Sequence, residues 1–381
     1  MNLVIDNSNL IVGGGIQVGT SFLNDLKKIN LDYQYHVIQS SNSLKEIDKS
    51  IFPTNFHFYD LNESETKSIS KRIKRVKEIE NLVKPKCIFT VFGPSYHKSN
   101  YPKIVGFAIP YLIYPDSPFF KKISLLKKIK YYFLSILKRT AFIKNSDILI
   151  FETENARNIF SKKVKNKRIK TYTVNNTINE IFLNEAKWEK LQFDFPNTFN
   201  ILCLTSNYPH KNVDIIPRVI DILKEKFGLS NFKFLITLEK CDININNEYD
   251  DYIEYLGKVP LINIPDLYNK SNIAFIPTLL EVFSATYLES MFMGIPIISS
   301  DMPFARDICE ESAIYCSPTD PLQYAEAIDS LSKNSELYED LVKKGKNNLL
   351  RFGGSMDRTK QYIDIIKRTI EDNTFGNKNN L

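Results

Sequence analysis

Between residues 273 and 301 the chain writes a strand, a helix and a second strand in quick succession, and few architectures accept that order. Ile273-Ala-Phe-Ile is an apolar run of strand length, closed by Pro277. Residues 283–293 then change to helical spacing, with Phe283, Tyr287, Leu288, Met291 and Phe292 falling largely on one face. Gly294 offers a left-handed stop and Pro296 forbids continuation. Residues 295–298 form the second apolar run, which completes a unit of the kind that builds parallel sheets.

The first turn of that helix, at Phe283, Ser284 and Ala285, leaves backbone N–H groups without intrahelical partners, and the helix dipole adds positive potential there. Such a turn suits a phosphate. Glu281 stands just before it and Glu289 further along the helix. Carboxylates would repel a phosphate, so the pair reads as acceptors for hydroxyl groups of sugars attached on either side of a diphosphate. Two solvated helix glutamates are the competing reading.

The rest of the chain repeats the alternation. Residues 2–5 are a strand, and Gly13, Gly14 and Gly15 lead into a helix with Val18, Phe22 and Leu26 on one face. A dinucleotide fingerprint begun at Gly13 needs glycine where Val18 stands, which excludes a nicotinamide site. Strands are expected at 35–39, 56–59, 87–92, 104–107, 146–151 and 169–174, with one long helix over 63–83 and another over 154–161. That order predicts a doubly wound sheet, whose ligands gather at the carboxyl ends of strands. Residues 93–97, ending in His97, and the turn around Asp116 fall at such ends. The competing reading of each is an ordinary loop residue, Asp116 as the cap of the helix after it. A second series begins at 199–204 and runs through strands at 232–238 and 252–256, with helices at 260–269, 321–332, 335–350 and 356–370. Residues 176–198, with Trp188 and Pro196-Asn197, read as the connection, and the Asn-rich end from Asp372 as disordered.

Composition excludes several classes. With 381 residues, 43% hydrophobic and 25% charged, the chain is expected to be a globular protein of two domains. No window is apolar enough to span a bilayer, and the start shows no signal peptide, so a cytoplasmic protein is expected. The five cysteines and four histidines are scattered, without metal-ligand spacing, so no metal is expected. Residues 119–145 carry eight Lys or Arg among aromatic and aliphatic residues. Read as one helix, they suit an anionic membrane surface on the inner face of the cytoplasmic membrane, or a core helix whose lysines face water. No nucleic-acid-binding motif accompanies them, and no nucleic-acid partner is expected.

Glu281, seven residues, Glu289, then Gly294-Ile-Pro and Ser300-Asp301, continued by 313–321, resembles the donor-binding signature of retaining family 4 glycosyltransferases of the GT-B fold. The resemblance implies two Rossmann-like α/β domains facing a cleft, over 1–178 and 196–355, with a helix at 356–371 crossing back to the first. It implies a metal-independent retaining hexosyltransferase that uses a nucleoside diphosphate sugar of UDP or GDP type, and no other cofactor. The acceptor would be a glycan or lipid-linked glycan, in O-antigen, capsule or other surface-polysaccharide assembly. In that family the residue matching Glu281 touches the donor sugar and the one matching Glu289 holds the ribose hydroxyls. Gly14 and Gly15 match a turn facing the diphosphate, Lys211 matches a phosphate-binding Lys, and Val259 lies in the loop matching the one beside the base. Two departures stand out. Ser206 occupies the place of an Arg, leaving Ser206, Asn207 or Arg306 to help the diphosphate, and no His follows the strand near Asp116, which leaves Asp116 and His97 as acceptor-side candidates. These departures motivate other readings: a catalytically weak GT-B scaffold or partner subunit, or a nucleotide-sugar isomerase.

Overall fold

The computed structural model describes residues 1–11, 13–164, 168–192, 195 and 198–372. Pro196-Asn197 and the Asn-rich tail beyond Asp372 lie outside the described residues. The chain divides into two compact units, the first made of Met1–Ile113, Leu125–Asn176 and the chain from Gly354, the second of Tyr114–Ser124 and Thr177–Gly353.

In the first unit, strands β1 (Asn2–Asn7), β2 (Gln34–Gln39), β3 (Phe56–Asp60), β4 (Cys87–Thr90), β5 (Lys103–Phe107), β6 (Ile148–Phe151) and β7 (Lys170–Thr173) form one sheet in the order β3-β2-β1-β4-β5-β6-β7. Every pairing is parallel, with Asp6 of β1 opposite Thr90 of β4. Parallel strands are covered on both faces, which is why they appear in the sequence as unbroken apolar runs. Leu3, Ile5, Phe22, Val37 and Phe89 share a core with Tyr362, Ile363 and Ile366 of the helix Ser355–Glu371. The Tyr362 ring stands 5.0 Å from Phe89, and Arg358 donates to Ser21 across 2.8 Å. The last helix is therefore part of the first unit.

The second unit repeats the winding. Strands β8 (Phe199–Cys203), β9 (Phe232–Ile236), β10 (Ile253–Tyr255), β11 (Ile273–Ile276), β12 (Ile297–Ser300) and β13 (Ala313–Cys316) pair in parallel in the order β10-β9-β8-β11-β12-β13. The helix Ile216–Glu225 buries Ile216, Val219, Ile220 and Leu223 against the sheet, the four positions its spacing selects. Two Rossmann-like parallel sheets result.

Two expected helices are each divided. Residues 63–83 form Glu63–Lys67 and Ile69–Val83, because the Ser68 hydroxyl accepts from the Lys71 N–H and starts the second. Residues 119–145 form Phe119–Lys122 and Leu125–Asn145, and the break at 123–124 coincides with the border between the units. The sequence pattern assigned 114–124 to the first domain, whereas its packing is with the second. Ser117 donates to the Leu279 carbonyl across 2.6 Å, and the Tyr114 ring packs 5.8 Å from Phe304.

Candidate functional site

In the second sheet, winding reverses between neighbours β8 and β11, and such a switch point opens a crevice at the strand carboxyl ends. The loops leaving those two strands carry the candidate residues. Leu279 N–H donates to the His210 carbonyl across 2.8 Å, tying the loops together. Lys211 closes the short turn Pro209–Lys211, after which Asn212 takes a left-handed conformation, φ 59°. An asparagine tolerates that geometry, and its amide is held by the Pro318 carbonyl at 3.1 Å. Lys211 Nζ forms an ion pair with Glu281 Oε1. The two side chains are only 17% and 19% exposed, so neither is an ordinary solvated charge, and neither is sealed from a ligand.

The helix Ala285–Met293 begins immediately after Glu281-Val-Phe-Ser. Ser284 is extended at its start but does not cap it: its hydroxyl shares a 2.7 Å hydrogen bond with that of Thr286. The first-turn N–H groups lack a side-chain cap and face outward along the helix axis. Gly294 ends the helix at φ 72°, as expected. Glu289 is 7% exposed, and the Tyr268 hydroxyl donates to its Oε2 across 3.1 Å. Burial pushes its carboxyl up to about 7, against the pull of the Tyr268 hydrogen bond. A carboxylate in that environment lacks acceptors' usual water partners, and sugar hydroxyls are the kind of donor it calls for.

The remaining candidates divide. Phe283 and Ser284 are nearly buried at the helix start. Asn207 donates its amide to the Asp242 carbonyl at 2.9 Å, and exposed Ser206 accepts the Tyr208 N–H at 2.7 Å through its backbone. Arg306 forks its guanidinium onto both carboxylate oxygens of Asp301, in a pair exposed to solvent. Val259 lies two residues after Gly257, whose φ of 61° favours glycine. Asp116 is exposed and does not cap the next helix; the Ser117 hydroxyl accepts the Phe119 N–H instead. Ser117 nonetheless ties the Asp116 turn to the loop of Glu281.

Three candidates lie in the first unit. Gly14 and Gly15 open the helix Gly14–Leu26, and a Cβ at Gly14 would meet nothing within 4 Å. His97 is buried, with Nε2 2.7 Å from Glu80 Oε1 and 3.0 Å from Lys103 Nζ. Ser99 donates to the other Glu80 oxygen at 2.9 Å. Burial works against ionised Glu80, yet the bonds from His97, Lys103 and Ser99 hold its pKa low. This cluster consumes His97, which is not presented for a substrate hydroxyl.

Several residues carry no sequence signal. Lys122 pairs with Asp214 at 2.8 Å and with the Asn212 side chain, gripping the turn that holds Lys211. His210 lies between Tyr208, stacked at 5.4 Å, and the edge of Phe119 at 6.0 Å, and burial lowers its pKa while Glu281 opposes. Tyr268 supports Glu289 from 21 residues earlier. Among the described residues, no group of three His, Cys, Asp or Glu could hold a metal ion, and no helix is long and apolar enough to cross a membrane.

Residues 189–348 match the family model Glycosyl transferases group 1, a span containing Lys211, Glu281 and Glu289. The O-antigen chain mannosyltransferase RfbU of Salmonella typhimurium is 24% identical over 208 residues, 53% of this chain and 56% of that protein. The chain spans little more than half the length of the curated relatives it matches. Sucrose-phosphate synthase from Thermosynechococcus elongatus has a similar structure, with TM-score 0.71 and 13% identity over 97% of this chain and 98% of that one. A structure described as trehalose-6-phosphate from E. coli bound with UDP-2-fluoro glucose aligns with TM-score 0.66 and 13% identity over 96% of this chain and 99% of its own. The fold of the chain is that of these GT-B structures, two Rossmann-like parallel-sheet domains.

Proposed function

We propose that the chain is a glycosyltransferase that moves a sugar from a nucleoside diphosphate sugar to a hydroxyl acceptor with retention at the anomeric carbon, in the assembly of a bacterial surface polysaccharide. The observation that carries this reading is the ion-paired, partly accessible Lys211 and Glu281 beside an uncapped helix start, with a buried carboxyl at Glu289 on the same helix. The group 1 match over these residues and the similarity to an O-antigen mannosyltransferase support it.

Each group then has a task. Glu289 accepts the ribose hydroxyls, and the N–H groups at Phe283, Ser284 and Ala285 take the diphosphate. Lys211 exchanges Glu281 for a phosphate oxygen and neutralises charge as it develops on the leaving group, while Glu281 turns to a donor-sugar hydroxyl. The acceptor hydroxyl attacks from the face the diphosphate leaves. Its oxygen forms the new bond to the anomeric carbon, the old carbon–oxygen bond breaks, and the departing phosphate takes the acceptor proton. Lys211 and the helix start supply the charge stabilisation, without a metal. Asp116, exposed beside the loop of Glu281, is the acceptor-side candidate this arrangement favours over His97.

Ser206 in place of an arginine favours a second reading, a GT-B scaffold with weak turnover. The test is incubation of the full chain with labelled UDP- and GDP-sugars and with free or lipid-linked glycan acceptors, followed by product NMR. Sugar transfer with retained anomeric configuration is expected. Nucleotide binding without transfer to any acceptor would favour the scaffold, conversion of the donor with no acceptor an isomerase, and inverted product would end the retaining mechanism.

A further inference from the structure

We infer that Tyr208 and His210 form a seat for the sugar ring of the donor, an aromatic face with a polar edge beside Lys211 and Glu281. This seat rests on the proposed donor site and adds to it the side chains that hold the transferred sugar. The chain presents both rings rigidly. Pro209 restricts the residue before it to extended backbone, and Tyr208 accordingly has φ −125° and ψ 135°. Its N–H donates to the Ser206 carbonyl across 2.7 Å, and its carbonyl accepts the Lys211 N–H across 2.9 Å. The Tyr208 ring lies nearly parallel to that of His210, with 5.4 Å between centroids and 13° between planes. Phe119 supports His210 from 6.0 Å at an angle of 87°. All three rings belong to the second unit.

A single exposed aromatic residue is ordinary on a protein surface. Here its surroundings are not. Tyr208 is 50% exposed, and among the described residues His210 is the one ring it meets, which leaves its other face to solvent. His210 is half-buried, and no hydrogen bond of a described residue reaches its ring nitrogens. Burial lowers its pKa, with Glu281 opposing and Lys211 assisting, so at neutral pH the uncharged ring offers one N–H donor and one acceptor nitrogen. Both charges act on the imidazole because it neighbours their ion pair. Chemistry then selects the ligand. A sugar ring has C–H groups of partial positive charge on its apolar face and hydroxyls around its rim. The C–H groups suit the electron-rich face of the Tyr208 phenol, and the hydroxyls suit a neutral imidazole. A bare diphosphate would use neither. A nucleobase stacks as well, yet in the proposed site it lies beyond the ribose, across the diphosphate from Glu281.

The experiment is titration calorimetry of the full chain with UDP, GDP and a panel of UDP- and GDP-hexoses that includes UDP-glucose and GDP-mannose. For the ligands the wild type binds, Tyr208→Ala is expected to weaken the nucleotide sugar about tenfold and the nucleoside diphosphate by less than about twofold. Tyr208→Phe keeps the ring and is expected to match the wild type. His210→Phe keeps the stack without its nitrogens, and is expected to lose affinity for the nucleotide sugar alone. The Tyr208 side chain is exposed, so the thermal midpoint of unliganded Tyr208→Ala is expected to stay at that of the wild type, which separates a lost contact from lost folding. Unchanged affinity of Tyr208→Ala for the nucleotide sugar, or an equal loss for the nucleoside diphosphate, would overturn the inference and leave the donor site standing. So would a wild type that binds a nucleoside diphosphate and gains nothing from any sugar attached to it. A wild type that binds no nucleotide at all would end the donor site and the sugar seat together.

Discussion

Each unit holds a cluster of ionisable side chains, closed in the first and open to solvent in the second. In the first, Glu80, His97 and Lys103 close on one another, with side chains no more than 5% exposed. In the second, Lys211 and Glu281 pair at 17% and 19% exposure beside a helix start without a side-chain cap. A sealed cluster can only hold its own unit together, since admitting a ligand would strand one of its charges. A pair that keeps contact with solvent can exchange partners when a diphosphate and its sugars arrive. On the proposed reading, charged residues mark a binding site only where their partners leave them accessible.

The largest effect is expected from breaking the sealed cluster. Glu80→Ala leaves Lys103 buried without its counterion and is expected to cost about 3–5 kcal/mol of stability, read by denaturant unfolding. Burial already lowers the Lys103 pKa, so the variant is expected to recover stability as pH rises. Lys211→Ala should invert that profile. It is expected to change stability by less than about 1 kcal/mol, as a partly exposed ion pair does, yet to slow transfer by about 100-fold or more, roughly 2.7 kcal/mol of barrier. A loss of stability as large as that of Glu80→Ala would erase the contrast.

Glu289 sharpens the comparison through pH. Its folded pKa of about 7 lies above its ordinary value of 4.5, so the folded chain holds a proton that the unfolded chain has released. The stability this supplies is full below about pH 4.5 and is lost as pH rises through 7. Nucleotide binding runs the other way, because ribose hydroxyls donate to the ionised form: affinity is expected to fall about tenfold per pH unit below 7. Titration calorimetry between pH 5.5 and 8.5 reads this, and Glu289→Gln is expected to flatten both dependences. The smallest effect is Gly14→Ala. Its new methyl meets nothing within 4 Å, so thermal unfolding is expected to move by less than about 0.5 kcal/mol. Any larger change in donor affinity would then report ligand contact at that turn.

The sheets were legible in the sequence because buried parallel strands leave apolar runs, and helix ends because Gly294 and the prolines act locally. The break at Ser68 was not, since a capping serine differs from an ordinary one only in where its hydroxyl points. The break at 123–124 was hidden by a basic and apolar pattern that runs through it. What divides that helix is long-range packing, from Ser117 to Leu279 and from Lys122 to Asp214. Within the site, Glu281, Glu289 and Lys211 announced themselves by spacing and family resemblance. The burial of Glu289 did not, because Tyr268 and the surrounding core create it. His97 looked like a site residue because its partners, Glu80 and Lys103, reach it only through the fold.

On the proposed reading, the donor nucleotide is held at the switch point of the second sheet, by Glu289 and the helix it belongs to. The most direct test is thermal unfolding of the wild type, Glu289→Ala and His97→Ala against UDP, GDP, dTDP and ADP with their sugars. A ligand at about 100 times its dissociation constant stabilises by roughly 2.7 kcal/mol, a readable shift. A shift with one base is expected, abolished in Glu289→Ala and, from whatever midpoint it starts, retained in His97→Ala. A shift that survives Glu289→Ala and disappears in His97→Ala would contradict it.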